Sequence, residues 1–266
     1  MSQVAAVLPE MDVMPVLPAV VVVDIDGTLR KHGEYVGDGV ALMLRSMVEQ
    51  GVVVVPCSGK NLEFIRKLFN FMEIPTPVIG SENGGYISSL VQGAWHHDST
   101  ADRTKLRVLR DHIDNCPECS CWTEGEQKHS MITKRFGSFH RAEEIAPIWK
   151  SHARQLFPDE PSEVFLYPPT DDAVDLVLNP KRVYKGRLIA MLRHYYPGAP
   201  IVVAEDGLNG MSMVKAAGVL PVCPSTADDQ IKLAVEMQGG MVAREPYSAG
   251  TLSALRWALR QFDVRV

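Results

Sequence analysis

The chain lacks any apolar stretch approaching the roughly 20 residues that a membrane-spanning helix requires. Its most apolar run, Val20–Val23, is closed off by Pro18 on one side and Asp24 on the other. Lys and Arg are missing from the first 18 positions, which carry Glu10 and Asp12 instead; that is the reverse of a secretory signal, and none is expected. An excess of positive charge is missing as well. The 27 Lys and Arg against 32 Asp and Glu leave a net charge of -5, so neither nucleic acid nor an anionic membrane is an expected partner. Cysteine is scarce and odd in number, five in 266 residues. A chain this long buries a core without covalent staples, and the expectation is a thiol-reduced, cytoplasmic protein. There is no evident repeat or low-complexity tract. What is present, 46% hydrophobic and 22% charged residues, is the balance of a globular protein of one large or two smaller domains.

Residues 1–18, with Pro9, Pro15 and Pro18, read as an irregular lead-in. Short apolar runs at 19–23, 52–55 and 77–79 read as buried strands. Helices are expected over 40–49, capped by Asp38 with Leu42, Leu44 and Met47 facing inward, and over 62–72, where Phe64, Ile65, Leu68 and Phe69 fall near helical spacing. Asn83-Gly84-Gly85 is a hairpin signal, because Asn and Gly accept positive φ cheaply. The pattern then changes: a helix at 101–113, strands near 119–123 and 129–135 with Gly125 between, a helix at 142–156, and strands at 163–167 and 173–178 split by Pro168-Pro169. Strand–helix alternation resumes with helices at 186–195, 211–217, 227–237 and 251–262 and strands at 201–204, 220–222 and 241–243. The expected fold class is α/β: a Rossmann-like doubly wound parallel sheet from residues 1–86 and 183–266, with an α+β domain inserted over 87–182.

In such folds ligands bind beyond the carboxyl ends of the strands. Four stretches stand there: Asp24-Ile25-Asp26-Gly27-Thr28-Leu29, Cys57-Ser58-Gly59-Lys60, Tyr184-Lys185-Gly186 and Glu205-Asp206-Gly207-Leu208-Asn209-Gly210. Taken singly each has a plain explanation. An Asp at a strand end is ordinarily a turn or cap residue. Ser58-Gly59-Lys60 is an ordinary strand-to-helix turn, and no P-loop, since Asn61 and Val54 stand where a hydroxyl residue and a glycine are needed. Lys181 rivals Lys185 as the lysine of interest.

Together, in this order, the four stretches resemble the haloacid dehalogenase-like phosphohydrolases, above all in Asp24-x-Asp26-Gly27-Thr28 after a run of valines. The short interval from Leu29 to Asp38 leaves no room for a cap there. The long later insertion is similar to the C2-type cap of Cof-like and sucrose-phosphatase-like members, and Glu82-Asn83-Gly84 resembles their cap-entrance element. The resemblance implies a Mg2+-dependent phosphomonoesterase acting on a small phosphorylated metabolite, most simply a sugar phosphate. Asp24 would be the nucleophile and Asp26 the general acid and base. Asp24, Asp206 and the Asp26 backbone carbonyl would hold the metal. Ser58, Gly59 and Lys185 would hold the phosphoryl oxygens, with Thr28 and Asn209 in support. A phosphomutase, or a feeble sugar-phosphate-binding regulator, are the competing implications.

The fourth stretch departs from the family's usual Gly-Asp-x-x-Asn-Asp: Glu205 replaces the leading Gly and Gly210 the final Asp. Strand alternation predicts that Glu205 points away from Asp206. In the insertion, Lys128, His129, Lys134, Arg135, His140 and Arg141 form a basic cluster. It reads either as a solvated face or, for Lys128, Lys134 and Arg135, as substrate contacts. His112, Cys116, Cys119 and Cys121 have a spacing that zinc tolerates poorly, and are expected to be simple packed or part-exposed thiols and imidazole.

Overall fold

Four consecutive valines, buried to a residue, form the first strand, β1 (Val20–Val23). The computed structural model describes residues 19–91, 93–119, 122–124, 127–159, 162–170 and 173–266. After β1 come α1 (Asp38–Glu49), β2 (Val53–Pro56), α2 (Leu62–Phe71), β3 (Val78–Ser81), β4 (Tyr86–Val91) and β5 (Ala94–Ser99). The middle of the chain supplies α3 (Arg103–Asp114), β6 (Trp122–Glu124), β7 (Ile132–Phe136), α4 (Phe139–Leu156), β8 (Ser162–Thr170) and β9 (Ala173–Pro180). It ends with α5 (Gly186–Tyr195), β10 (Ile201–Ala204), α6 (Met211–Val214), β11 (Val219–Cys223), α7 (Asp229–Met237), β12 (Met241–Val242) and α8 (Tyr247–Arg260). No helix among these is long and apolar enough to cross a membrane.

The chain divides into two compact units, one running to Asp98 and resuming with Tyr184–Val266, the other Ser99–Val183. In the first, a parallel sheet is ordered β12-β11-β10-β1-β2. Alternation along β1 serves both of its faces: Val21 and Val23 pack with Leu44, Ile65, Phe69 and Leu255, while Val20 and Val22 pack with Leu188, Leu192 and Met213. A sheet covered on both sides needs strands that are apolar throughout, which is why β1 shows no polar–apolar alternation. β1 pairs with β2 on one side and β10 on the other, both parallel. The chain therefore reverses its winding direction at β1, and the crevice opened there lies beyond the carboxyl ends of β1 and β10.

Several local expectations change. β4 runs antiparallel beside β3, with Ser81 opposite Tyr86, and β5 lies beside β4. Residues 87–98, assigned from sequence to the insertion, therefore belong with the first unit: the hairpin at Asn83-Gly84 folds this stretch back onto β3. Gly37, not Asp38, caps α1, and Leu42 is exposed while Val40, Met43, Leu44 and Met47 are buried, the set that a 100° step places on one face. The lead-in at 1–18 and Gly125 lie outside the described residues.

The second unit has a four-stranded sheet, β6-β7-β9-β8, antiparallel throughout. Trp149 of α4 is wholly buried there against Phe136 of β7, ring centroids 6.3 Å apart. Trp149→Ala removes the largest buried side chain of that core and is expected to cost the unit about 3–5 kcal/mol. Hydrogen exchange should show faster opening at Ile132–Phe136 and Ala173–Pro180, with the amides of β1 and β10 unchanged.

Candidate active site

The site is built where β1 and β10 end. Asp24 and Glu205 are the first residues past their strands, and the ladder continues through them, with Asp24 N–H donating to Ala204 O at 3.0 Å and Glu205 N–H to Val222 O at 3.2 Å. Lys185, the residue before α5, is fully buried, and its ammonium donates to Asp24 Oδ1 and Glu205 Oε2, each at 2.8 Å. Lys181, its rival in the sequence, is exposed in a turn of the other unit. Burial opposes the charge on Lys185, but the Asp24 and Glu205 carboxylates outweigh it and hold the ammonium protonated well above its ordinary range.

Asp206 completes the group. Ligand oxygens of Asp24, Glu205 and Asp206 all lie within 4.8 Å of one another. Thr28, wholly buried, donates its hydroxyl to Asp206 Oδ1 at 2.7 Å, and its own carbonyl accepts from the Thr251 hydroxyl at 2.8 Å. Thr28 thus fixes the second aspartate as well as its own loop. That loop turns at Gly27, φ 87°, where a Cβ would stand 1.9 Å from Asp206 Oδ2; only glycine permits both the left-handed backbone and the approach. Burial, followed by the neighbouring carboxylates, pushes Glu205 and Asp206 upward. Two carboxylates bond one ammonium and a third stands close by, so carboxyl groups outnumber the cation in a largely buried place.

Glu205 was expected to point away from Asp206, and it does the opposite. Glu205 makes the last ladder bond, so Asp206 after it has left strand geometry and the two-residue alternation no longer separates the two side chains. Glu205 Oε1 accepts from the backbone N–H groups of Asp206 (3.3 Å) and Gly207 (3.1 Å), which turns the side chain back into the cluster.

Asp26 stands a little apart. It forms ion pairs with Arg30 at 2.8 Å and Lys60 at 3.0 Å. Burial raises its carboxyl, but Lys60 and then Arg30 outweigh that effect and hold it below the usual carboxylate range. Neither cation was singled out from the sequence; Arg30, four residues on, and Lys60, at the end of the second stretch, were legible only as positions.

Ser58 is buried at the end of β2, its carbonyl accepting from Asn83 N–H at 3.0 Å, and a Cβ on Gly59 would meet Asn83 Oδ1 at 3.2 Å. Glu82 and Asn83, both buried, hold left-handed backbone at φ 53° and 55°. Such strain persists only where surroundings enforce it. Here Lys60 O accepts from Glu82 N–H at 2.9 Å, and Asn209 donates its side-chain amide to Asn83 Oδ1 at 3.1 Å. Gly84 O accepts from Arg187 at 3.2 Å. The second and fourth stretches and the hairpin are thereby joined through Asn83.

The basic cluster of the other unit does not act as one surface. Lys134 is 2% exposed and its ammonium pairs with Asp114 at 2.9 Å, whereas Arg135 is exposed and pairs twice with Asp175, at 2.7 and 2.9 Å. Successive strand residues face opposite ways, so Lys134 shares the face of Phe136, the one packed against Trp149. Lys128 is half-buried, its carbonyl accepting from Arg110 at 3.0 Å. His112 meets His152 at 3.1 Å. Cys121 and the Cys119 side chain lie outside the described structure.

A hard divalent cation suits the group at Asp24, Glu205 and Asp206. Its donors are all carboxylate oxygens, they are close enough to share one ion, and among the described residues Lys185 is the cation bonded to two of them.

Comparison with solved structures gives the same fold at low sequence identity. A Thermoplasma acidophilum protein matches with TM-score 0.71 and 15% identity, over 93% of this chain and 99% of its own. A haloacid dehalogenase-like hydrolase from Bacteroides thetaiotaomicron matches with TM-score 0.68 and 19% identity, over 91% and 98%. The sucrose-phosphatase of Synechocystis, solved with sucrose and phosphate, matches with TM-score 0.63 and 14% identity, over 93% and 98%. A search of curated proteins finds no match to the sequence. The family model described as haloacid dehalogenase-like hydrolase covers residues 21–163, and with more than half of its length so matched the chain belongs to the haloacid dehalogenase-like hydrolases.

Proposed function

We propose that this protein is a phosphomonoesterase, dependent on Mg2+, that releases phosphate from a small phosphorylated metabolite, most simply a sugar phosphate. The observation that carries the reading is the Lys185 ammonium bonded to Asp24 with Asp206 within ion-sharing distance, at the reversal point of the sheet. A carboxylate that attacks a phosphate dianion works against charge repulsion, and positive charge set beside both partners is what lowers that barrier. Mg2+ would be held by Asp24, Asp206 and the Asp26 carbonyl, and when bound it supplies the charge neutralisation that brings two anions together.

Asp24 attacks phosphorus with a carboxylate oxygen. The ester P–O bond breaks, its electron pair leaves with the alkoxide, and an aspartyl-phosphate forms; water then attacks phosphorus and restores Asp24 with release of phosphate. Lys185, held charged, neutralises the phosphoryl oxygens, and Ser58 with the Gly59 amide orients them. Asp26, ionised beside Lys60 and Arg30, is in the form that accepts the proton of the attacking water. To serve the leaving alkoxide first, it must carry a proton of its own, so those two cations have to yield as substrate enters.

The Lys134 ammonium, buried against Asp114, is better read as holding the inserted unit together than as a substrate contact. The sugar-phosphate class draws support from the fold shared with the Synechocystis sucrose-phosphatase. A phosphomutase would need a bisphosphorylated sugar activator and would release no net phosphate.

Asp24→Asn keeps the shape of the side chain and removes its nucleophilic charge. It is expected to fold with unchanged circular dichroism and to lose at least about a thousandfold in phosphate release across a panel of phosphorylated sugars. Turnover retained in that variant would remove Asp24 as nucleophile. Chelation with EDTA is expected to stop phosphate release by the parent protein, and added Mg2+ to restore it; release indifferent to both would exclude the metal-dependent reading.

A further inference from the structure

Two departures from the family pattern, Glu205 and Gly210, are five residues apart in sequence and in the same place in space. A Cβ built on Gly210 would stand 1.9 Å from Glu205 Oε2 and 2.0 Å from its Cδ. The volume that a side chain at position 210 would enter is therefore the volume that the Glu205 carboxyl group fills. Glu205 reaches it from the strand side, fully buried, with Oε1 held by the amides of Asp206 and Gly207 and Oε2 by Lys185. One of its oxygens falls within 4.8 Å of an oxygen of Asp24 and one of Asp206.

An apolar or amide residue would fill that space with far less desolvation. A third buried carboxylate beside one ammonium is stabilised when further positive charge arrives. The ordinary family carboxylate at position 210 is absent here, and a carboxylate from another position stands where that side chain would begin.

We propose that Glu205 is the third carboxylate of the divalent-cation site, supplied from position 205 in place of 210, and that the two positions form a reciprocal pair in which one bears the carboxylate and the other must be glycine. This rests on reading the cleft as that of a metal-dependent phosphohydrolase. Glu205 acts as a positioning residue: it holds Lys185 and adds the negative charge that draws the cation in.

The test is Mg2+ titration calorimetry on the full chain, with circular dichroism and thermal unfolding in parallel. Glu205→Gln keeps volume and removes charge, and is expected to weaken Mg2+ binding by about tenfold or more. Gly210→Asp alone is expected to lower both the melting temperature and the Mg2+ affinity, since two side chains then compete for one volume. The exchange variant, Glu205→Gly with Gly210→Asp, is expected to regain Mg2+ affinity to within about threefold of the parent, a strong departure from additivity. The proposal is overturned if Glu205→Gln binds Mg2+ as the parent does, if Gly210→Asp is tolerated without loss, or if the exchange variant is no better than the single ones. Should Glu205→Gln not fold, the exchange variant decides alone: parent-like Mg2+ affinity supports the pair, and weak binding or failure to fold overturns it.

Phosphate release, assayed separately on the parent, keeps the two readings apart. A chain that binds Mg2+ through this pair yet hydrolyses no phosphate ester refutes the phosphatase and leaves the pair standing. Hydrolysis by a chain whose Mg2+ affinity ignores position 205 does the reverse.

Discussion

An ammonium group with no access to water sets the terms for the rest of this molecule. Lys185 is wholly buried and bonded to two carboxylates, one of them 161 residues away in sequence. A charge removed from water is tolerable only with close partners, and losing both of them would leave an uncompensated ion in the interior. The arrangement therefore demands that β1, β10 and the start of α5 stay in register. The parallel pairing of four β-branched positions on β1 with β2 and β10 supplies that rigidity.

Around the ammonium the balance of charge is uneven. Asp24, Glu205 and Asp206 together exceed what one lysine neutralises, and burial with their mutual repulsion pushes Glu205 and Asp206 towards protonation. Thr28 counters this at Asp206 with a charge-assisted hydrogen bond, and Gly27 makes the approach possible. Asp26 is treated differently: paired with Lys60 and Arg30, it stays ionised and outside the crowded group. Two aspartates separated by one residue thus have different cationic partners, Lys185 for Asp24 and Lys60 with Arg30 for Asp26.

The inserted unit shows strand geometry sorting residues that look equivalent in sequence. Lys134 and Arg135 are adjacent and both basic, yet one lies buried against Asp114 and the other is exposed, paired with Asp175. The division follows from the two-residue repeat of β7 and from which face of the sheet meets Trp149.

Much of the core was legible because its signals are local. Unbroken β-branched runs marked β1 and β2, and the polar residues that follow the strands marked the site; α5 and β10 fall within the expected bounds. The hairpin strand β4 was missed because Ser88 and Ser89 interrupt its apolar pattern although both are buried. The sequence by itself determined the doubly wound core and the order in which Asp24, Ser58, Lys185 and Asp206 arrive at its edge, since periodicity and turn chemistry are properties of neighbouring residues. Only the tertiary structure decided that Glu205 turns inward, that it occupies the place beside Gly210, that Lys60 and Arg30 claim Asp26, and that Lys134 is interior. Each of those depends on which distant surfaces meet and on how much water they exclude, and no window of local sequence contains either quantity.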